Sequence, residues 1–223
     1  MAIPLGRLDG CEPGDILVFD GKGFLARRIK HWTCSRHTHV AVVAHVTKDD
    51  LAAVPHKLEQ WRFSLAQLVK WEARMVLFES TSILKRPCLF QGKLFAGTQA
   101  HDVAERVDDC PGRVWRLRLK WPITPTESRR LTRGLLTGIP KPYDTFGAGL
   151  SATLFLKHKL MALRASDRRT LYCCEYAVDQ LEQAFDPRRG YRWANPGTLT
   201  PRGVVQWAEE LYRPPVLIKE QQD

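Results

Sequence analysis

The sequence predicts an α+β domain in which an antiparallel sheet, or a small barrel, packs on helices. Three observations predict this class: short apolar runs dominate the first half, capped helical patterns follow Pro125, and neither an internal repeat nor a Gly/Ser-rich linker divides the chain. Of its 223 residues, 44% are hydrophobic and 26% are charged. This length and composition are typical of one globular domain, residues 1–223, and exclude collagenous, disordered and coiled-coil chains.

Four strands are predicted from the apolar runs. Residues 14–19 follow a Pro-Gly turn, and residues 38–44 are apolar on both faces, as in a buried strand. Residues 74–79 form a third run. Residues 113–119 alternate imperfectly with a period of two, which predicts a strand with one solvated face.

Helices are predicted mainly in the second half of the chain. Residues 49–70 show helical spacing, and residues 126–136 form a helix capped by Thr124 or Thr126. Residues 173–185 form the last clear helix, which an Asp-Pro pair stops.

The charge balance predicts attraction to polyanions. The chain carries 34 basic and 24 acidic residues, a net charge of +10, which favours nucleic acid, anionic lipid or cell-wall polymer as an encounter partner. The basic runs at 113–120 and 129–133 lack the motif of any nucleic-acid reader, so no specific nucleic-acid partner is expected.

The N-terminus and the apolar runs bear on location. Residues 1–10 hold no apolar run of signal-peptide length, which predicts a cytoplasmic protein. The most apolar stretch, residues 146–163, is interrupted by Lys157, His158 and Lys159 and is too polar for a membrane-spanning helix. It could lie on a membrane surface or cover a site. The six cysteines are scattered except for one adjacent pair and indicate no disulfide framework.

Polar residues inside apolar elements are the candidates for chemistry. Cys173 and Cys174 open a helix, where free N–H groups and the helix dipole favour a thiolate. His39 begins a buried strand, as a general base held by packing would, and Glu79 ends the next strand on an apolar face. Taken singly, a buried cysteine, a core histidine and an ion-paired glutamate are the simpler interpretations.

A metal site is a competing hypothesis because histidine and cysteine crowd into fifteen residues: His31, Cys34, His37, His39 and His45. Zinc uses such ligands. The chain has no C-x-x-C pair and no second cluster to complete a structural site, so neither a metal nor a cofactor is expected.

The order of several short motifs resembles the permuted papain-like branch of the NlpC superfamily (YiiX/YaeF type). The motifs are Gly14-Asp15, Thr38-His39-Val40, Glu79-Ser80, Tyr143-Asp144, Cys173-Cys174-Glu175 and Thr200-Pro201. The histidine precedes the cysteine, the reverse of ordinary papain-like enzymes, as circular permutation implies. Thr38 and Cys174 stand where the family usually has serine. Segments near 48–71 and 146–170 have no counterpart and are expected to be insertions.

The resemblance implies a cysteine hydrolase that acts through an acyl-enzyme. Cys173 would be the nucleophile, His39 the base, Glu79 the orienting residue and Tyr143 a supporting group near the oxyanion. The expected substrate is an amide in cell-wall (peptidoglycan) peptides, which a cytoplasmic protein would reach only if delivered outward, for example in a phage particle or lysis system. A lipid acyl hydrolase or acyltransferase is the alternative, with Cys174 as its nucleophile, and a non-catalytic binding module is a third.

Helical spacing favours Cys173 over Cys174 as the nucleophile. Cys174, Val178 and Leu181 recur on one apolar stripe, whereas Cys173 lies about 100° around the axis from it. Cys173 is therefore expected to face the site, and Cys174 the core.

Overall fold

The computed structural model describes residues 10–33, 35–82, 85–144, 171–186 and 199–220. Within them, six strands form one open sheet in the order β4-β3-β2-β1-β5-β6, and all neighbours are antiparallel. The strands are β1 (Ile16–Phe19), β2 (His39–Val46), β3 (Arg74–Thr81), β4 (Gly97–Asp102), β5 (Val114–Leu117) and β6 (Val216–Lys219). The α+β class and the antiparallel sheet are confirmed, as an open sheet rather than a barrel.

Eight helices accompany the sheet in the described ranges. They are α1 (Phe24–Thr33), α2 (Lys48–Ala52), α3 (Pro55–Trp61), α4 (Leu65–Val69), α5 (Val103–Asp108), α6 (Pro125–Thr137), α7 (Cys173–Ala184) and α8 (Pro201–Ala208). No helix in this part of the chain is long and apolar enough to cross a bilayer.

The sheet is covered on both faces because its central strands are apolar on both sides. Val40 and Val42 belong to one core, which includes residues of α6, α7 and α8. Ala41 and Val43 belong to a second core, which includes Val107 of α5. The alternation of side chains along β2 therefore divides the molecule into two layers of core.

The predicted segregation of strands and helices is wrong in detail. Helix α1 lies between the first two strands, and β6 follows the last helix. Neither β4 nor β6 was expected from the apolar pattern. Strand β4 is polar (Gly-Thr-Gln-Ala-His-Asp), and it is buried because it pairs along β3 from Val76 to Thr81.

The long helical pattern at 49–70 is also divided, into α2, α3 and α4. Pro55 starts α3, and Arg62 ends it in a left-handed conformation with φ 55°. The helical spacing at Leu65, Leu68 and Val69 falls partly on α4, where Leu65 and Val69 are 75% and 62% exposed.

Two further predictions concern the cap of α6 and the exposure of β5. Thr124, rather than Thr126, caps α6 by accepting a hydrogen bond from the Glu127 N–H. Strand β5 does not have one wholly solvated face, because Val114 and Leu117 are buried and the two residues between them are half-buried. The apolar stretch 146–163 and the predicted insertion 146–170 lie outside the described residues.

Candidate active site

The site lies where the pairing of β2 with β3 stops. These strands pair from Val46 to Val42 on β2, and the ladder ends at Val42↔Phe78. Strand β2 nevertheless continues to pair with β1 as far as His39, and β3 continues to pair with β4 as far as Thr81. Beyond this point the facing edges of β2 and β3 carry backbone and side-chain groups that do not pair with a neighbouring strand.

The segment that begins α7 binds these groups. The Ser80 hydroxyl on β3 donates a hydrogen bond of 2.5 Å to the Leu171 carbonyl. The Val40 N–H on β2 donates to the sulfur of Cys173. Both strands thus fix the N-terminus of α7, and Cys173 lies against the first residues of β2 with only 6% of its surface exposed.

His39 joins Cys173 to Glu79. The His39 Nε2 lies 2.6 Å from Glu79 Oε2, and the His39 side chain also forms a hydrogen bond with Cys173. Because Nε2 is taken by Glu79, Nδ1 is the nitrogen left for the sulfur. The three residues come from β2, β3 and α7, which are far apart in sequence, and together they form a continuous hydrogen-bonded chain.

The start of β2 is itself held in place. The Thr38 hydroxyl donates to the Phe19 carbonyl at 3.0 Å and accepts from the Gly21 N–H at 2.8 Å. The ring of Phe19 lies 5.6 Å from the ring of His39, centroid to centroid. These contacts restrict where the imidazole can point, as expected of a general base.

The protonation states favour an ion pair between Cys173 and His39. Burial by itself lowers the pKa of His39, but the negative charges of Cys173 and Glu79 and their hydrogen bonds raise that pKa to about 9. A hydrogen bond from Cys174 lowers the pKa of Cys173 well below the usual value, and His39 and the Val40 N–H lower it further, against the effect of burial. Both shifts favour the thiolate–imidazolium form of the pair.

Two residues that the sequence analysis missed complete the cluster. Arg106 Nε on α5 lies 2.7 Å from Glu79 Oε1, and His101 Nε2 on β4 lies 3.5 Å from the same oxygen. Burial raises the pKa of Glu79, but the charges of Arg106 and His39 outweigh it and bring that pKa far below its usual range. Neither residue carries a signal in the sequence, because both belong to short elements without a predictive pattern.

Cys174 and Tyr143 lie close to the thiol in different ways. Cys174 is fully buried in the core with Val178 and Leu181, as the helical spacing predicts. Its sulfur lies 3.8 Å from the Cys173 sulfur. Burial and, after it, the negative charge of Cys173 raise the pKa of Tyr143, so its hydroxyl keeps its proton.

The histidine-rich segment forms no metal cluster in the described residues. No group of three His, Cys, Asp or Glu side chains there could hold a metal ion. His39 binds Glu79, while His37 stacks edge-on against Trp115 at 5.2 Å. Cys34 lies outside the described residues.

Comparisons with known proteins include a distant similarity of fold. No protein-family model matches the chain, and no curated protein matches it. Among solved structures, the chain is similar to the crystal structure of the metalloprotein YiiX from Escherichia coli O157:H7, with a TM-score of 0.47 and 13% identity. The similarity covers 89% of this chain and 81% of that chain. The roles of Cys173, His39 and Glu79 rest on their own contacts and charges.

Proposed function

We propose that the chain is a cysteine hydrolase that cleaves an acyl bond through a covalent acyl-enzyme. The observation that carries the proposal is the chain of contacts from Cys173 at the start of α7 to His39 and on to the buried Glu79. Nucleophilic catalysis needs a nucleophile, a base that is hydrogen-bonded to it, and a third group that orients the base.

The chemistry follows from the protonation states. The Cys173 thiolate attacks the substrate carbonyl, and the carbonyl π electrons move to oxygen. When the tetrahedral intermediate collapses, the C–N bond breaks and the His39 imidazolium gives its proton to the leaving amine. The neutral His39 then takes a proton from water, which attacks the thioester, and the thiolate leaves with the electrons of the C–S bond.

The start of α7 and Tyr143 offer groups that could stabilise the oxyanion. The first turn of α7 has backbone N–H groups without helical partners, and Tyr172 forms no side-chain cap there. The protonated hydroxyl of Tyr143 is a further donor near the two cysteines. Donors already in place before the reaction stabilise developing charge most effectively.

The proposed substrate is an amide in cell-wall peptides, in keeping with the resemblance of the motif order to NlpC-type amidases. The net charge of +10 favours encounter with an anionic wall. This substrate class requires delivery of the protein to the wall, for example by a phage particle.

A lipid acyl substrate is the second candidate, and helix α1 favours it. This helix follows β1 and exposes Phe24 at 75% of its surface, beside the exposed Arg27 and Arg28. Basic helices with exposed aromatic residues bind anionic membrane surfaces. A helix of this kind would bring the enzyme to membranes, where lipid esters and amides are available as substrates.

Labelling with thiol-directed acyl probes tests the proposal. A cell-wall stem peptide and a fatty acyl chain, each carrying the same electrophilic carbonyl, are compared on the wild type, His39→Ala and His45→Ala. His45 is the matched control because it lies on the same face of β2, six residues away. We expect one labelled cysteine, Cys173, and a rate reduced about 10²–10⁴-fold in His39→Ala only.

The two probes also separate the candidates. Faster reaction with the peptide probe supports the wall substrate, and faster reaction with the fatty acyl probe supports the lipid substrate. A folded protein that neither probe labels would point to a binding module and contradict the proposed function.

A further inference from the structure

We infer that Arg106 is a positioning residue for the cluster: it holds Glu79 ionised and oriented, so that His39 in turn holds the Cys173 thiolate. This inference rests on the proposed function. It assigns Arg106 no contact with substrate, because its polar contact is with the far oxygen of the glutamate.

The geometry of the carboxylate is the first observation. Glu79 Oε2 receives the His39 Nε2–H at 2.6 Å, and Oε1 receives the Arg106 Nε–H at 2.7 Å. The Glu79 side chain is 1% exposed and the Arg106 side chain 13% exposed. Each oxygen therefore has its own cationic donor, and the carboxylate cannot rotate toward another partner without losing one of them.

A packing contact gives Arg106 a second route to the base. Its guanidinium lies over the ring of Phe19, 4.8 Å from the centroid. The same ring lies 5.6 Å from the ring of His39. Arg106 thus supports the imidazole through the charge of Glu79 and through the face of Phe19.

Charge balance explains why a cation is needed at this position. Thiolate, imidazolium, carboxylate and guanidinium sum to zero in the buried cluster. Without Arg106 the sum is −1, and burial favours protonation of Glu79. A neutral Glu79 removes one of the two negative charges that raise the pKa of His39, so the imidazolium loses its proton at a lower pH and stabilises the thiolate less.

Apart from His39, no other cation in the described structure binds Glu79 as Arg106 does. His101, at 3.5 Å, is held neutral because burial lowers its pKa. Lys85, Arg86 and Asp109 line the small cavity behind Glu79, where Arg86 is bound by Asp109 and Glu105. Lys85 donates to the Asp109 carbonyl.

The pH profile of Cys173 alkylation tests the inference without a substrate. Iodoacetamide labelling rates are measured from pH 4 to pH 10 in the wild type, Arg106→Gln, Arg106→Lys and Arg86→Gln, and fragment-ion mass spectrometry assigns each label to Cys173 or Cys174. Arg86→Gln is the matched control, because it removes a cation from the same cavity that does not bind Glu79. Circular dichroism checks that each variant is folded.

We expect the acid limb of the profile to move up by about one pH unit in Arg106→Gln, so that labelling slows about tenfold at any pH on that limb. Arg106→Lys, which keeps the charge, restores most of the rate, and Arg86→Gln leaves the profile unchanged. If Arg106→Gln does not fold, Arg106→Met replaces it, since methionine keeps the contact with Phe19 without a charge.

Two results overturn the inference while leaving the proposed function standing: an unchanged profile in a folded, uncharged variant at position 106, or an equal shift in Arg86→Gln. A wild-type Cys173 that titrates like an ordinary thiol overturns the proposed function as well.

Discussion

Cys173 and Cys110 are both buried cysteines with cations nearby, yet their chemistry differs. Burial raises the pKa of Cys110, and neither a hydrogen bond from the Gly112 N–H nor the charges of Arg106 and Lys219 offset it. At Cys173, hydrogen bonds from Cys174, His39 and the Val40 N–H overcome the same effect of burial and lower the pKa. Side-chain donors in contact with the sulfur, one of them the His39 cation, therefore distinguish Cys173 from Cys110.

Replacing the sulfur is the change with the largest expected effect. Cys173→Ser should lower acyl-enzyme formation by at least about 10³-fold, because a serine hydroxyl is not ionised by these donors. Cys110→Ala, the control from the other core, should keep the wild-type rate. Acyl-enzyme is measured by intact-protein mass spectrometry after mixing with an acyl substrate. Equal losses of acyl-enzyme in both variants would contradict the assignment of Cys173 as the nucleophile.

The pH dependence of labelling sharpens the comparison within one molecule. Cys11 is more accessible than Cys173, but burial and the charge of Asp15 raise its pKa. At pH 6.5 we expect iodoacetamide to label Cys173 at least about 10²-fold faster than Cys11, because a far larger fraction of Cys173 is thiolate. The ratio should fall as the pH rises past 9. A ratio near one at pH 6.5 would contradict the ion pair.

The pKa of His39 determines whether activity rises or falls as the pH increases. Its pKa of about 9 keeps the imidazolium protonated at neutral pH, and protonation of the leaving amine requires that proton. Amide hydrolysis should therefore fall as the pH rises through about 9, even though the thiolate persists. Hydrolysis rates measured from pH 7 to pH 10 test this, and a rate that keeps rising to pH 10 would exclude His39 as the acid.

Glu79→Gln should have a smaller effect on rate but a clear effect on stability. Glutamine still accepts a hydrogen bond from His39 but carries no charge, so the rate at pH 7 should fall about 10–100-fold. The variant also leaves Arg106 partly buried without a carboxylate, which should lower the free energy of unfolding by about 3 kcal/mol. Urea denaturation measures this loss, and Glu105→Gln, an exposed partner of Arg86, is the control.

The smallest expected change is at Cys174. Cys174→Ser keeps a donor for the Cys173 sulfur and should label at nearly the wild-type rate. Cys174→Ala removes the donor and should slow labelling of Cys173 at pH 6 by about 3–10-fold. If Cys174→Ser instead abolished acyl-enzyme formation while Cys173→Ser retained it, the nucleophile would be Cys174 and the lipid substrate would be favoured.

The amino-acid sequence alone determined the residues and elements whose signal is local. Apolar runs located β1, β2 and β3, and the capping pattern Thr124-x-x-Glu127 located α6. The spacing of Cys174, Val178 and Leu181 placed Cys174 in the core. These features depend on the periodicity of side chains along a single element, which the sequence carries directly.

Only the tertiary structure decided the features that depend on neighbours distant in the chain. Strand β4 is polar and is a strand because β3 pairs with it, and Arg106 is a partner of Glu79 because α5 packs on β3 and β4. The end of the β2–β3 ladder, which leaves the Val40 N–H for the Cys173 sulfur, has no sequence signature. Long-range pairing and the electrostatics of burial are properties of the assembled fold, so the sequence pointed to Cys173, His39 and Glu79 but not to what ionises them.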